Sequence, residues 1–333
     1  MIDTHQLKKR DLYLNKILAF QDTEPVKVVT GIRRCGKSSL LKLMTLHLKE
    51  NGIAEDQILE MNFESYAFKN MNSDSFYQYV REHIIPNKRM YLFFDEVQRV
   101  PKWEDAINSF RVDFNCDIYV TGSNAYMLSS EYATYLSGRC VEIKMLPLSF
   151  SEFLAFYDFE IKETKSALGG TRKQVFDQTG EHYELREVFD AYMRFGGMPG
   201  IADVGLDQEK ALVLLEGIYS TVIMRDILER ENHKGQKRIT DPVLLKKLRR
   251  GYDVSIGKID NSEVDFIATN TNDKMYVQVT EAMTSEDVRK RELAPLQKIS
   301  DNYEKIVLSL DPGLDSSYDG IKSINLIDWL ISV

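Results

Sequence analysis

A chain of 333 residues with 43% hydrophobic residues is long enough for two or three domains with real cores. Its 43 basic and 51 acidic side chains give a net charge of −8, which excludes a general attraction to nucleic acid but leaves a local basic patch open. Three widely spaced cysteines argue against a disulfide framework and against a CxxC metal site. The chain lacks an apolar run of about 18 residues and a signal-peptide core, so we expect a cytoplasmic protein with no membrane partner.

The first predicted elements are a strand, a glycine-rich turn and a helix. An apolar strand is predicted at residues 26–30, and a leucine-rich helix is predicted from Ser39 to Lys49. The octet between them reads GIRRCGKS and fits the phosphate-binding pattern G-x-x-x-x-G-K-[ST] at Gly31, Gly36, Lys37 and Ser38. Because strand, lysine and serine are all in place, we interpret the octet as a P-loop rather than a turn that only opens a helix.

The loop predicts a bound triphosphate, because backbone N–H groups at a helix N-terminus attract anions. Lys37 is expected to reach the β- and γ-phosphates, and Ser38 is expected to place its hydroxyl on Mg²⁺. Arg33 and Arg34 have three alternative roles: they contact phosphate, they contact an acidic neighbour, or they are simply solvated. Cys35 lies inside the loop, so its alkylation is expected to block nucleotide binding.

A second motif follows at residues 91–96, YLFFDE, where an apolar strand ends in two carboxylates. This is the Walker B pattern: Asp95 is expected to hold Mg²⁺ through water, and Glu96 is expected to act as general base toward the attacking water. The alternative, an acidic turn after a core strand, is disfavoured downstream of a P-loop. The full set of expected nucleotide contacts is Gly31, Ile32, Arg33, Arg34, Cys35, Gly36, Lys37, Ser38, Ser39 and Asp95.

A third strand, at residues 117–122, ends in small polar residues. Ser123 or Asn124 is predicted to orient the water or contact the γ-phosphate, as a sensor residue does, although a helix N-cap explains the same residues. Arg139 is a candidate arginine finger acting in cis or in trans, and a surface arginine is the alternative. The predicted catalytic set is therefore Lys37, Glu96, Asn124 and Arg139.

The hydrophobic pattern predicts an α/β fold with a parallel sheet between helices in residues 1–147. Strands are expected at 26–30, 58–63, 90–95, 117–122 and 140–146. Residues 148–248 look mostly helical and are expected to form a lid and linker, with a capping box from Ser149 to Glu152. The polar stretch 160–183 is predicted to be a functional loop or a disordered insertion.

Four blocks together resemble a family of prokaryotic predicted AAA-type ATPases: GIRRCGKSSLL, YLFFDEVQRVPKWEDAI, YVTGSNAYMLSSEYATYLSGR and LPLSFSEFL. The resemblance implies a P-loop NTPase core, ATP with Mg²⁺, and a restriction-endonuclease-like C-terminal domain at residues 249–333. Members of the family usually carry a winged-helix-like segment that is missing near residues 248–249. Either this chain lost that segment, or its sequence is joined across a gap.

The C-terminal segment resembles the D…(E/Q)xK core of restriction-type nucleases at Asp265 and Gln278, but Thr280 replaces the lysine. We therefore favour a degenerate scaffold over an active metal site. The basic stretch 233–250 is predicted to be a solvated linker face rather than a nucleic-acid patch.

The function that these patterns favour is an Mg²⁺-dependent ATPase acting as an AAA-type switch or remodelling enzyme. A GTPase is disfavoured because no NKxD-type motif follows the Walker B strand. The alternatives are an ATP-regulated nuclease and a non-catalytic interaction module. A homo-oligomer and a nucleic-acid or protein client are plausible partners.

Overall fold

The computed structural model describes residues 7–123, 138–165, 171–204, 209–211, 213–214, 242–259, 262–311 and 316–332. They fall into two compact units, which divide between Leu146 and Pro147. No helix in this described part is both long and apolar enough to cross a membrane.

The first unit is built on a parallel sheet of five strands. Their bounds are β1 Val26–Gly31, β2 Ile58–Asn62, β3 Met90–Asp95, β4 Cys116–Ser123 and β5 Cys140–Met145. The strand order is β2-β3-β4-β1-β5, and every neighbouring pair is parallel. All five predicted strands are confirmed to within about one residue, because strands covered on both faces carry near-continuous apolar runs.

Helices cover both faces of this sheet. They are α1 Asp11–Leu18, α2 Lys37–Glu50, α3 Ser73–His83 and α4 Trp103–Asp113. Successive residues of a strand point to opposite faces. Accordingly, Phe94 packs with Phe76 of α3 and Phe110 of α4, whereas Phe93 belongs to the core formed with α1 and α2. The predicted α/β class with helices on both faces is confirmed.

A buried ion pair lies at the amino-terminal edge of the sheet, opposite the P-loop. The ammonium group of Lys27 in β1 donates to Asp117 in β4, and both side chains are fully buried. Asp117 Oδ2 also accepts the Asp22 N–H at 2.7 Å and the Tyr119 hydroxyl at 2.8 Å. Burial lowers the pKa of Lys27, and the hydrogen bond to Asp117 opposes that effect.

The second unit contains a small antiparallel sheet, a mixed sheet and several helices. The small sheet has the order β6-β7-β8, and the mixed sheet has the order β13-β14-β12-β11-β10-β9. The strands are β6 Glu160–Lys165, β7 Thr171–Phe176, β8 His182–Glu184, β9 Asp253–Ile259, β10 Ser262–Thr269, β11 Lys274–Thr280, β12 Glu304–Ser309, β13 Ser317–Tyr318 and β14 Ile321–Asn325. The helices are α5 Phe150–Phe156, α6 Leu185–Phe195, α7 Pro242–Arg249, α8 Glu286–Gln297 and α9 Leu326–Ile331.

The prediction of a functional loop or a disordered insertion at residues 160–183 is wrong. β6 and β7 pair antiparallel there, and Val175 of β7 is fully buried. The three-part division also differs from the structure. Phe150 of α5 shares one core with Val277 of β11 and Trp329 of α9, so residues from 147 onward and the C-terminal sheet form a single unit. The predicted capping box between Ser149 and Glu152 is present at the start of α5.

The turn after α6 has a structural role. The Gly197 carbonyl accepts the Leu148 N–H, and a Cβ added at Gly197 would lie 2.5 Å from the Leu148 oxygen. The hydroxyl of Tyr192 donates to that same oxygen at 2.9 Å. Glycine is therefore required at position 197 by close backbone packing.

Helix α7 continues through residues 248–249 without a break. Two lysines of the predicted solvated face, Lys246 and Lys247, are buried, so that prediction is wrong for them. Lys246 Nζ donates to the carbonyl oxygens of Leu330 at 3.3 Å and Ser332 at 2.6 Å, at the C-terminus of α9. A cation suits that position, because the last carbonyls of a helix carry partial negative charge.

Candidate active site

The glycines of residues 31–38 adopt backbone conformations that other residues rarely reach. Gly31 has φ 151°, and a Cβ there would lie 2.4 Å from the Met145 carbonyl oxygen of β5. Gly36 has φ 101° and is the N-cap of α2. As the N-cap residue, Gly36 offers no side chain to the first N–H groups of α2. Those donors are therefore left for another acceptor.

Lys37 joins the P-loop to the second motif. Its ammonium nitrogen lies 3.2 Å from the Gly31 carbonyl, 3.4 Å from the Ile32 carbonyl and 3.7 Å from Glu96 Oε1. The residue is only 5% exposed. The structure thus brings together the lysine and the glutamate that the sequence assigned to catalysis.

Arg10 forms a hydrogen bond with the backbone of the P-loop. Its guanidinium donates to the Cys35 carbonyl at 2.9 Å in a buried contact and lies over the Tyr13 ring. In a trans peptide the C=O and the next N–H point in opposite directions. Fixing the Cys35 oxygen therefore also fixes the direction of the Gly36 N–H. Sequence reasoning missed Arg10, which belongs to no phosphate-binding motif.

Asp95 and Glu96 lie at the carboxyl end of β3. The buried hydroxyl of Thr121 donates to Asp95 and accepts the Glu96 N–H at 2.9 Å. Glu96 adopts a left-handed conformation with φ 56°, which costs a non-glycine residue about 1–2 kcal/mol. Strain of this kind tends to be kept at functional sites. Thr121 was missed, because the register that pairs Phe94 with Val120, and so brings Thr121 beside the Walker B residues, exists only in the folded sheet.

The two oxygens of Glu96 have different neighbours. Oε1 faces Lys37, and Oε2 accepts the Gln98 side-chain amide at 2.6 Å. The side chain of Glu96 keeps 19% exposure. A carboxylate that is held by donors yet reaches solvent can accept a proton from a water molecule.

The remaining loop residues are less constrained. Arg33 lies 3.6 Å from Glu64, which also accepts from Arg99 at 2.8 Å, so contact with an acidic neighbour is what the structure shows for Arg33. Arg34 and Ser38 are exposed, whereas Ile32 and Ser39 are half-buried. Ser38 belongs to the first turn of α2, so its backbone is fixed while its side chain is exposed.

Cys35 is fully buried, and burial raises the pKa of its thiol. Alkylation requires an accessible thiolate. The expectation that alkylation of Cys35 blocks the site is therefore contradicted by the native structure.

Two further candidates have different outcomes. Asn124 lies outside the described residues, and Ser123 ends β4 in register with Gly31. Arg139 is exposed, and its carbonyl accepts the Val26 N–H at 3.0 Å at the amino-terminal edge of the sheet. Gly31 lies five residue steps along β1 from Val26, or about 16 Å. The structure therefore contradicts a cis role for Arg139 at its own P-loop.

The nuclease-like residues are engaged in structural contacts. Asp265 Oδ2 accepts the Val279 N–H at 2.9 Å, and Gln278 lies 3.4 Å from Glu292. Thr280 donates to the Ala282 carbonyl. In the part of the chain that is described, no three His, Cys, Asp or Glu residues form a group that could hold a metal ion. The described residues thus do not assemble the ligand set of a nuclease.

The residues at the carboxyl edge of the first sheet fit a nucleoside triphosphate with Mg²⁺. The glycine at position 31 permits close backbone approach, Lys37 supplies a positive charge, and Ser38 and Asp95 offer the oxygen ligands that Mg²⁺ prefers. Magnesium usually keeps several waters and binds only one or two protein oxygens, so a larger acidic cluster is not needed.

This sheet and loop define a P-loop NTPase fold. Residues 23–154 match the family model described as an AAA domain. An uncharacterised protein of Haemophilus influenzae is 29% identical, over 97% of this chain and 98% of its own length. An uncharacterised protein of Methanocaldococcus jannaschii is 28% identical, over 83% of this chain and 58% of its own.

Two solved structures are also similar. A Walker-type ATPase of Pyrococcus abyssi has 16% identity and a TM-score of 0.42, over 77% of this chain and 92% of that one. DnaA of Aquifex aeolicus bound to AMPPCP has 13% identity and a TM-score of 0.34, over 71% of this chain and 75% of that one.

The alignment with the Haemophilus influenzae protein indicates an internal difference in length. It covers 416 positions, 83 more than the 333 residues of this chain, while both proteins are covered almost completely. The relative therefore contains internal residues that this chain lacks. Their location near residues 248–249 stays a prediction.

Proposed function

We propose that the protein binds ATP with Mg²⁺ at residues 31–39 and hydrolyses it as an AAA-type ATPase. The observation that carries this proposal is the 3.7 Å approach of Lys37 Nζ to Glu96 Oε1. A phosphate-binding lysine and a candidate general base are thereby held at one edge of the sheet, outside the carboxyl ends of its strands, where open α/β sheets bind ligands.

Each residue has a proposed role. Lys37 and the N–H groups of α2 bind the phosphates, and Lys37 stabilises negative charge on the transferred phosphoryl group. Ser38 and Asp95 would hold Mg²⁺, which supplies further neutralisation of that charge when bound. Glu96 accepts a proton from the attacking water. Thr121 keeps Asp95 and the Glu96 backbone in place.

We further propose that the ATPase works as a switch or remodelling enzyme in a homo-oligomer. Because Arg139 lies at the far edge of its own sheet, it can serve only the nucleotide of a neighbouring copy. The proposed client is a nucleic acid or a protein.

Phosphate release from Mg·ATP tests the central proposal. Wild type should hydrolyse ATP, Lys37→Ala should lose binding, and Glu96→Gln should bind ATP but lower kcat by about 10²–10⁴-fold. Glu60→Gln on β2 is the matched control, because Glu60 is exposed and should leave kcat unchanged. A wild type that binds ATP without releasing phosphate would indicate a nucleotide switch, and one that does neither would indicate an interaction module.

A further inference from the structure

Gln98 makes a short, oriented contact with the candidate general base. Its Nε2 lies 2.6 Å from Glu96 Oε2. An ionised carboxylate has no proton to donate, so the amide must present its nitrogen to Glu96. Hydrogen bonds to a charged acceptor are roughly twice as strong as neutral ones. The contact therefore favours one orientation of the Glu96 carboxylate.

Packing alone does not explain why a glutamine occupies this position. The other amide atom, Gln98 Oε1, is buried and has no hydrogen-bond partner among the described residues. A buried polar atom without a partner costs about 1–3 kcal/mol. An apolar side chain of the same length would avoid that cost, so the amide is retained at the expense of stability.

The surrounding turn is suited to hold the carboxylate still. Glu96 precedes the 3-10 turn Val97–Arg99, and Val97 is fully buried in the core of the first unit. The Glu96 backbone is fixed by Thr121, and its two side-chain oxygens face Gln98 and Lys37. A catalytic group works best when its own rotamer is locked by neighbours of this kind.

We propose that Gln98 is a positioning residue for Glu96. By binding Oε2, it leaves Oε1 on the side of Lys37, where the phosphoryl group would be bound. This inference rests on the proposed ATPase function and assigns to that reaction a residue outside the P-loop and Walker B motifs. Gln98 acts through Glu96 and does not itself exchange a proton.

A double-mutant cycle distinguishes a role of Gln98 in positioning Glu96 from a general disturbance of the active site. Gln98→Met removes the amide and keeps the length, so it should lower kcat by roughly 10- to 100-fold, as loss of an outer-shell partner does, and leave KM within about twofold. In a Glu96→Gln background the same change should have no further effect. Arg99→Gln alters an exposed residue of the same turn and is the matched control.

A second measurement does not need turnover. The affinity for a fluorescent ATP analogue should be the same in wild type and Gln98→Met, and Gln98→Ala should behave like Gln98→Met in both assays. An equal loss of kcat in the two backgrounds, or a loss of nucleotide affinity, overturns the positioning role. An active wild type with an unchanged Gln98→Met overturns only this inference, whereas an inactive wild type overturns the proposed function as well.

Discussion

The hydroxyl of Thr121 on β4 donates to the carboxylate of Asp95 on β3, and both residues are buried. The same oxygen accepts the Glu96 N–H. Thr121→Val keeps the shape but leaves both groups without this partner, so we expect a loss of about 2 kcal/mol in unfolding free energy and a lower kcat.

Urea unfolding and phosphate release check this prediction. Thr121→Ser is the matched control, because it retains the hydroxyl and should remain close to wild type in kcat. Equal behaviour of the valine and serine variants would show that the hydroxyl does not matter.

Arg10 should affect nucleotide binding without contacting nucleotide. Arg10→Ala removes the donor that fixes the Cys35 carbonyl, and loss of a buried hydrogen bond from a charged group is worth about 1.5–3 kcal/mol. We therefore expect at least a tenfold weaker affinity for ATP, measured by calorimetry. As the control, Lys9→Ala removes an exposed neighbouring cation and should leave the affinity for ATP unchanged. A similar loss of affinity in both variants would instead indicate a general effect of charge.

Cys35 should resist modification in the folded protein. With Cys116→Ser and Cys140→Ser in place, only Cys35 remains, and its buried thiol has a raised pKa. Treatment with N-ethylmaleimide at neutral pH should modify the urea-unfolded chain quickly and the native chain slowly, as read by intact mass. Rapid modification of the native chain would mean that the loop opens often.

The position of Arg139 predicts complementation between two inactive variants. Lys37→Ala and Arg139→Ala should each lose ATPase activity alone, whereas an equimolar mixture should regain part of it, because one copy supplies the loop and its neighbour the arginine. Lys144→Ala alters an exposed cation of β5, the strand that follows Arg139; it is the control and should be active alone. A mixture that stays inactive would exclude the trans role.

Lys246 should make stability depend on alkaline pH. Burial, together with the nearby charges of Arg250 and Lys247, lowers the pKa of Lys246 from 10.5 to about 8. Between these values the unfolded chain binds more protons than the folded chain, so the free energy of unfolding should rise with pH in that window. Lys246→Met should show a weaker rise in urea titrations followed by tryptophan fluorescence, and identical slopes would contradict the shift.

The elements that sequence predicted well are those specified by local patterns. The apolar run that ends in Asp95 and Glu96 could be read directly, and so could the glycines and lysine of residues 31–38. Arg10 and Thr121 could not, because their partners lie 25 and 26 residues away and meet them only through the fold.

Other differences arose where local chemistry was ambiguous. β6 and β7 were read as a loop, since polar residues dominate both strands, and the burial of Val175 appears only in the folded structure. The lysines of α7 were read as solvated, because nothing near them in sequence reveals that α9 ends beside them. Gln98 is only two residues from Glu96, but its role depends on the left-handed backbone of Glu96.

The buried ion pair between Lys27 and Asp117 helps to set the register of β1 against β4. Sliding β4 by two residues along β1 would keep every side chain on its face but separate this pair, leaving two uncompensated charges in the core at a cost of several kcal/mol each. The alignment that sets Gly31 level with Ser123 at the other edge is therefore enforced from the far end of the sheet. Removing one partner of this distant pair would leave the other charge buried and uncompensated, so it would weaken both the domain and the alignment of the sheet edge that carries Gly31.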